Sequence, residues 1–270
     1  MMRNAVRYGL LTIGAALSAY PFIWMLSTSF KSLAEATAPS LSLVPEQWLW
    51  ENYIETFRAA PFLRYFYNTF LTAFVVTASV VLTSLLAGYA FARLNFLGKG
   101  GLFALCMATM MIPFEVTLIP NFMLISELGW YNTYAALMVP WCANAFSIFL
   151  VRQAFLSLPK DFFDAAQIDG CGHLRFLFRV GAPLVRPALI TVALLAFLGS
   201  YNSLLWPLVV TGDEEMRLIQ VGLTYFSNAD GVRYPLLMCA ATIVILPTVA
   251  VYFVAQRYFL DSALGSGVAN

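Results

Sequence analysis

Six stretches of this chain, near 8–30, 67–92, 101–120, 131–151, 187–211 and 235–256, run for about twenty residues or more and carry a single charge between them, that of Glu115. No other feature limits the fold as strongly. About 20 residues of helix, rising ~1.5 Å each, cross a hydrocarbon core ~30 Å thick. Inside such a core the backbone finds no water, so its N–H and C=O groups must pair within the protein, as they do in helices and closed barrels. These runs are continuously apolar and lack the alternation of barrel strands, which selects helices. Composition agrees: 61% of the 270 residues are hydrophobic and 11% charged, against roughly 45–50% and about 25% in ordinary soluble domains. The expectation is an all-α polytopic membrane protein with six transmembrane helices, a single domain over 1–270 with its core at 67–256. An even number of spans puts both ends on one side.

The formal net charge of +1 hides an uneven distribution. Arg3, Arg7, Arg93, Lys99, Arg152, Lys160, Arg175, Arg179, Arg186 and Arg257 fall on the side of the amino terminus, while Lys31, Arg58, Arg64, Arg217 and Arg233 fall on the other with most of the acids. The positive-inside rule then puts both termini in the cytoplasm of a multi-pass protein. The uncharged run from Tyr8 to Phe30 is too long for a signal-peptide core and has no clear small-x-small cleavage pattern, so it is read as a span. Two connections on the far side, about 31–66 and 212–234, are long. In the first, Pro45, Trp48 and Trp50 suit either interfacial packing or a solvated loop with aromatic anchors. Cys106, Cys142, Cys171 and Cys239 show no spacing for a disulfide or zinc site. Neither nucleic-acid binding nor metal binding is suggested.

The longest connection on the positive side, 152–186, is organised more tightly than a tether. Asp161 follows Leu158-Pro159-Lys160 as a candidate N-cap, Asp164 stands where a capping-box acid would, and Gly170 offers a left-handed stop. About two helical turns fit between these marks. Helical spacing groups Phe162, Ala165, Ala166 and Asp169 on one face, and the paired alanines allow another surface to approach closely. The expected product is a short docking helix.

Here the chain resembles the permeases of ATP-binding-cassette importers, whose cytoplasmic motif reads Glu-Ala-Ala, three residues, Gly, nine residues, Ile-x-Leu-Pro. In this sequence Asp164-Ala165-Ala166, Gly170 and Val180-Gly181-Ala182-Pro183 keep that spacing, with Asp for Glu, Val for Ile and Ala for Leu. The likeness spans nearly the whole chain and narrows to the carbohydrate-importer branch, through ENY at 51–53, Asn68, AGYAFARLNFLGKG at 87–100, IPFEVTLIP at 112–120 and YNSLLWPLVVT at 201–211, where Tyr201 replaces a usual Trp. The resemblance implies a type I importer permease in a bacterial cytoplasmic membrane, with a coupling helix between the fourth and fifth spans. It also implies partners: a second homologous permease, two ATP-binding-cassette subunits or a dimer of them, and an extracytoplasmic substrate-binding protein. In that scheme Asp161, Asp164, Ala165, Ala166, Asp169, Gly170 and Pro183 serve ATPase coupling, Asp164 pairing with a basic group on the ATPase. The solute would be a sugar or a sugar-like compound.

The residues themselves add a tentative solute pathway. Tyr201, Asn202, Ser203 and Trp206 place amide, hydroxyl and aromatic groups in the fifth run, the mixture that recognises sugars; packing between helices would use the same groups. Glu115 falls about 21 Å along a helix begun at Gly101, between Pro113 and Pro120. An acid at such a depth calls for a partner, a cavity or an interface. No phosphate loop exists, because Gly98-Lys99-Gly100 lacks the earlier glycine and the following Ser or Thr. The chain is therefore expected to bind no cofactor, with ATP and Mg held by partner subunits. His173 stands alone, without Cys or acid partners at ligand spacing, and reads as an ordinary solvent or interface histidine with no catalytic role. The alternative, a secondary carrier driven by an ion gradient, calls for internal repeats and several intramembrane charges, which are not found.

Overall fold

The computed structural model describes residues 2–39, 42–228 and 231–265; the last five residues of the expected 1–270 domain lie outside the described residues. Helices dominate. In chain order they are α1 (Met2–Ser29), α2 (Leu33–Ala36), α3 (Glu51–Ala59), α4 (Phe62–Arg93), α5 (Lys99–Thr109), α6 (Phe114–Glu127), α7 (Tyr134–Met138), α8 (Ala145–Ser157), α9 (Asp161–Ile168), α10 (His173–Phe176), α11 (Ala182–Leu184), α12 (Arg186–Tyr201), α13 (Leu205–Val210), α14 (Ile219–Leu223) and α15 (Tyr234–Gly265). A two-residue antiparallel ladder joins β1 (Ser227–Asn228) to β2 (Gly231–Val232). Four segments are long and apolar enough to cross a membrane: Val6–Ser29, Phe62–Arg93, Tyr134–Ser157 and Tyr234–Phe253. Two bent helix pairs bring the number to six if each is one span.

The chain divides into two compact units, Met1–Arg64 with Ile219–Val251 and Tyr65–Leu218 with Tyr252–Asn270. In the first, the most apolar 18-residue stretch of the α1 span buries none of its residues, as a helix meeting lipid or another subunit must, and burial begins only at Ser27, Thr28 and Ser29. The open carbonyls at its carboxyl end are met by Asn52, whose Nδ2 donates to Ser29 O and Lys31 O at 2.9 Å each. Lys31 is buried, lies 4.9 Å over the Trp24 ring and donates through Nζ to Ser42 O. Phe30 collects Trp48, Trp50 and Tyr53 at ring distances of 5.1, 4.7 and 5.3 Å. Trp48 and Trp50 each touch Phe30 and leave more than half of their surface exposed, at 55% and 65%.

The second unit is built around α4, α8 and α12. Its core joins Val76, Val80, Leu85 and Tyr89 of α4 to Val151 and Phe155 of α8 and Val192 of α12. Small residues set the closeness of α4 and α8: a Cβ on Gly88 would stand 2.8 Å from Val151 Cγ1 and 3.0 Å from Arg152 N. Arg93, at the end of α4, donates through Nη2 to Phe155 O and Leu158 O at 2.8 and 2.7 Å, reinforcing the end of α8, where Phe155 O also accepts from Leu158 N.

Three expected spans are broken. The third, read as one helix over 101–120, is α5 and α6 meeting at 98° across residues 110–113. Pro113 causes the break: it cannot donate, it disfavours helical geometry at Ile112, and it stands as the extended N-cap of α6. Glu115 is therefore in the first turn of a new helix and not deep in a continuous one. In the fourth, an irregular stretch at 142–144 precedes α8. The fifth, expected over 187–211, is α12 and α13 with a break at 202–204.

The closeness of α4 and α8 yields a packing test. Gly88→Val should overpack this contact at a cost of about 1–3 kcal/mol, lowering the thermal midpoint of the detergent-solubilised protein. Adding Val151→Ala should recover part of the loss. Equal midpoints for wild type and Gly88→Val would show that the contact has slack.

Candidate functional site

Two places in the second unit combine the residues singled out by sequence, and α4 runs through both. The first is the segment 152–186. Its short helix forms as α9, stopped by Gly170 at φ +70°, where a residue with a Cβ is strained. Cys171 N donates to Ala166 O at 2.8 Å and Gly170 N to Gln167 O at 2.9 Å, closing the end with the paired bonds of a glycine-stopped helix. The start differs from expectation. Lys160 already has helical geometry and holds the cap position without a side-chain bond, so Asp161 is the first helical residue and not the cap. Asp161 and Asp164 instead occupy the first turn, where the exposed N–H groups and the helix dipole favour negative charge.

The face of α9 is also redrawn. Phe163 and Ala166 turn inward onto the core, while Phe162, Ala165, Ile168 and Asp169 are exposed, Ile168 at 87%. Ala166 thus leaves the expected docking group and becomes an anchor. Phe163 stacks on His173 with centroids 5.7 Å apart and meets Phe176 edge-on at 5.2 Å. Tyr89 closes the cluster, with Oη 2.9 Å from His173 Nδ1 and its ring 5.5 Å from Phe155 and 6.0 Å from Phe176. The imidazole read as an ordinary histidine is thus the bridge between α9 and α4. Sequence offered no signal for it, since His173 and Tyr89 lie 84 residues apart. Pro183 lies in the first turn of α11, after a π-helical stretch at Leu177–Gly181, and the helix that follows is inclined at 82°. Gly181 lets Phe155 approach: a Cβ there would be 3.0 Å from Phe155 Cε1.

The second place is an open-mouthed cavity of about 590 Å³ lined by residues of α4, α6, α8, α12 and α13. The three backbone breaks converge on it: Phe114 and Glu115 after the first, Ala143 and Asn144 in the second, Ser203 and Leu204 in the third all line its wall. Side chains and turns pair polar groups at the second and third breaks. Asn144 Oδ1 accepts from Ser147 N at 2.9 Å and Ser147 Oγ at 3.1 Å, Thr83 Oγ1 donates to Cys142 O at 3.0 Å, and Asn202 N and Nδ2 donate to Leu198 O at 3.0 and 2.9 Å. Trp206 is buried, gives its Nε1–H to Ala136 O at 2.9 Å and meets Trp141 and Phe114 edge-on, so it contributes an apolar plate. Of the five residues in the tentative pathway, Glu115, Ser203 and Trp206 line this cavity. Tyr201 and Asn202 do not: Tyr201 is buried against Phe70 and Phe197, and Asn202 is committed to the end of α12. Thr72 and Asn144 are lining groups that the sequence did not single out.

One mouth of the unit is tied by side chains. Asn68 is buried, donates to Glu215 O and Arg217 O at 2.7 and 3.0 Å and accepts from Tyr134 Oη at 2.6 Å. Asn132 accepts from Gly212 N and Asp213 N and donates to Asp213 Oδ2 at 2.6 Å, adopting φ +59° to do so. No cluster of metal-ligating side chains occurs among the described residues.

Comparison with known proteins adds an independent line. Residues 79–262 match the model of the family described as "Binding-protein-dependent transport system inner membrane component". The arabinooligosaccharides transport system permease protein AraQ of Halalkalibacterium halodurans is 33% identical, the alignment covering 96% of this chain and 95% of that protein. The lactose transport system permease protein LacG of Rhizobium radiobacter is 31% identical, covering 97% and 96%. The sn-glycerol-3-phosphate transport system permease protein UgpE of Rhizobium meliloti is also 31% identical, covering 95% and 94%. Among solved structures, a chain of a bacterial ABC transporter involved in the import of the acidic polysaccharide alginate superimposes with a TM-score of 0.85 at 26% identity, over 96% of both chains.

If the imidazole bridge holds α9, His173→Ala and Tyr89→Phe should each speed amide hydrogen exchange across 161–171 by about tenfold, the equivalent of one modest hydrogen bond. Exchange in α12 should not change. Unaltered rates across 161–171 would mean that Phe163 alone anchors the helix.

Proposed function

Because the chain belongs to the family of binding-protein-dependent transport system inner membrane components, we propose that it is one half of a paired permease in which α9 receives the closing motion of a separate ATPase subunit and α4 carries that motion to the cavity. It is a transmembrane permease subunit of an ATP-binding-cassette importer, in the group whose members carry sugars, oligosaccharides and glycerol phosphate. Its family's task is transport, and the ion-gradient carrier weighed from sequence falls with that assignment. In this reading ATP and Mg bind to two partner ATPase subunits, a second homologous permease completes the membrane pathway, and an extracytoplasmic binding protein delivers the solute. Both termini and the 152–186 segment lie in the cytoplasm of a bacterial cell with the chain spanning its inner membrane. Asp161, Asp164, Ala165, Asp169 and Gly170 form or frame the surface offered to the ATPase, with Ala166 and Pro183 behind it. Glu115, Ser203 and Trp206 face the solute.

The observation that carries the reading is the two-sidedness of α9. One side buries Phe163 and Ala166 in the core shared with α4 and α8, and the other exposes Phe162, Ala165 and Ile168. Apolar side chains on a solvated helix next to acids suit a cleft in another protein. A push on that side is passed by Phe163 and His173 to Tyr89. From Tyr89, α4 reaches Thr72 in the cavity wall some 25 Å away at ~1.5 Å per residue. Energetically, nucleotide must bind with different contacts in the inward- and outward-facing states, since equal contacts would shift nothing.

Charged substitutions on the exposed side test this. Phe162→Asp with Ala165→Lys should leave membrane insertion and thermal midpoint unchanged while lowering recovery of ATPase subunits with the purified permease, and ATP-driven uptake, by more than tenfold. Gly170→Pro, which removes both the left-handed stop and a donated N–H, should leave the chain inserted and separate ATP hydrolysis from uptake. Full uptake by both variants at normal abundance would refute α9 as the entry point.

A further inference from the structure

The cavity wall has a lopsided chemistry that bears on which solutes can rest there. Among the described residues its lining includes one charged side chain, Glu115, and no Lys, Arg or His. The remaining polar groups are neutral. Thr72, 2% exposed, lies behind that lining and offers it little accessible surface. Asn144 spends its Oδ1 on capping α8, which keeps its Nδ2 hydrogens for a ligand acceptor. Ser203 adds a hydroxyl, and Trp141, backed by the buried Trp206, supplies apolar aromatic surface.

We propose that this cavity is a subsite, on this chain itself, for an uncharged sugar ring or polyol, and that it discriminates against phosphorylated and uronic solutes; the inference rests on the permease reading and extends it to substrate class. A sugar ring offers hydroxyls that donate to the Glu115 carboxylate and exchange bonds with Ser203 and Asn144, while its C–H face lies against the Trp141 indole. A phosphate or carboxylate entering the same space meets Glu115 with no lining cation to offset it. Two like charges about 6 Å apart at an effective dielectric of ~20 weaken binding on the order of 100-fold. Transport relatives of similar identity handle both neutral and anionic cargo, so relationship alone does not select between them, whereas the wall does.

The assembled importer in nanodiscs, without binding protein, provides the test. Lactose, arabinobiose, sn-glycerol 3-phosphate and digalacturonate are each titrated against intrinsic tryptophan fluorescence, with Trp141→Phe assigning the signal to the cavity. Expected are saturable responses to the two neutral sugars, at least 30-fold weaker responses to the two anions, and a neutral-to-anion ratio that falls at least tenfold in Glu115→Gln. Ser203→Ala should weaken the neutral sugars several-fold. Equal binding of anions, a ratio unmoved by Glu115→Gln, or no saturable response to either sugar overturns the inference. Uptake of the same panel into proteoliposomes with binding protein keeps the two readings apart. ATP-driven, vanadate-sensitive uptake of the anions alone overturns the neutral-solute subsite and leaves the permease intact, and uptake indifferent to ATP overturns the permease.

Discussion

In hydrocarbon an unpaired backbone N–H or C=O has nothing to bond, and this one constraint organises the protein. It turns the apolar runs into helices, and it sets the terms on which those helices may break. The breaks at 110–113, 142–144 and 202–204 each return some of their polar groups to the chain, through turn bonds such as Met111 N to Ala108 O, through Thr83 and Asn144, and through the two bonds of Asn202 to Leu198 O. All three open onto the same cavity. Irregular backbone within an apolar protein is tolerable where it is covered by protein or faces a space that can hold water or solute, and the cavity is that space.

The same economy of polar groups governs the 152–186 segment, where packing and hydrogen bonding replace charge pairing. Arg93 is spent on two carbonyls of the α8 end, and Arg152 lies 4.1 Å over Phe103. The salt bridge of Arg233 to Glu55, at 3.6 Å, is exposed on both sides and adds little. What fixes α9 is an aromatic cluster with one imidazole at its centre, rigid because each ring is held by at least one other. A rigid anchor of this kind passes displacement on, where a flexible loop would absorb it.

Much of this was legible from residues alone, for a reason particular to each element. The run 67–92 names its helix because no other structure satisfies so long an uncharged backbone in lipid. Gly170 announces the stop of α9 because few residues accept its positive φ. The start of α9 was misplaced by one residue, since Asp161 is as favourable in a first turn as at a cap. Ala166 was assigned to the wrong side, because two adjacent alanines lie 100° apart and spacing does not say which of them meets the core. In the third and fifth runs the prolines and polar residues were visible, but the 98° bend and the break at 202–204 depend on what neighbouring helices supply to the freed backbone groups.

Sequence by itself determined the solvent of this protein, its helical character, the short helix at 161–168 and the kinship that its motif spacing announces. These follow from local chemistry: hydropathy over twenty residues, a glycine at a positive φ, a proline without a donor. Tertiary structure alone decided that three breaks share one cavity, that Glu115, Ser203 and Trp206 face it while Tyr201 and Asn202 do not, and that His173 ties α9 to Tyr89. Each of those depends on atoms brought together from residues tens of positions apart, and such meetings are set by how helices pack, which no local pattern in the chain records.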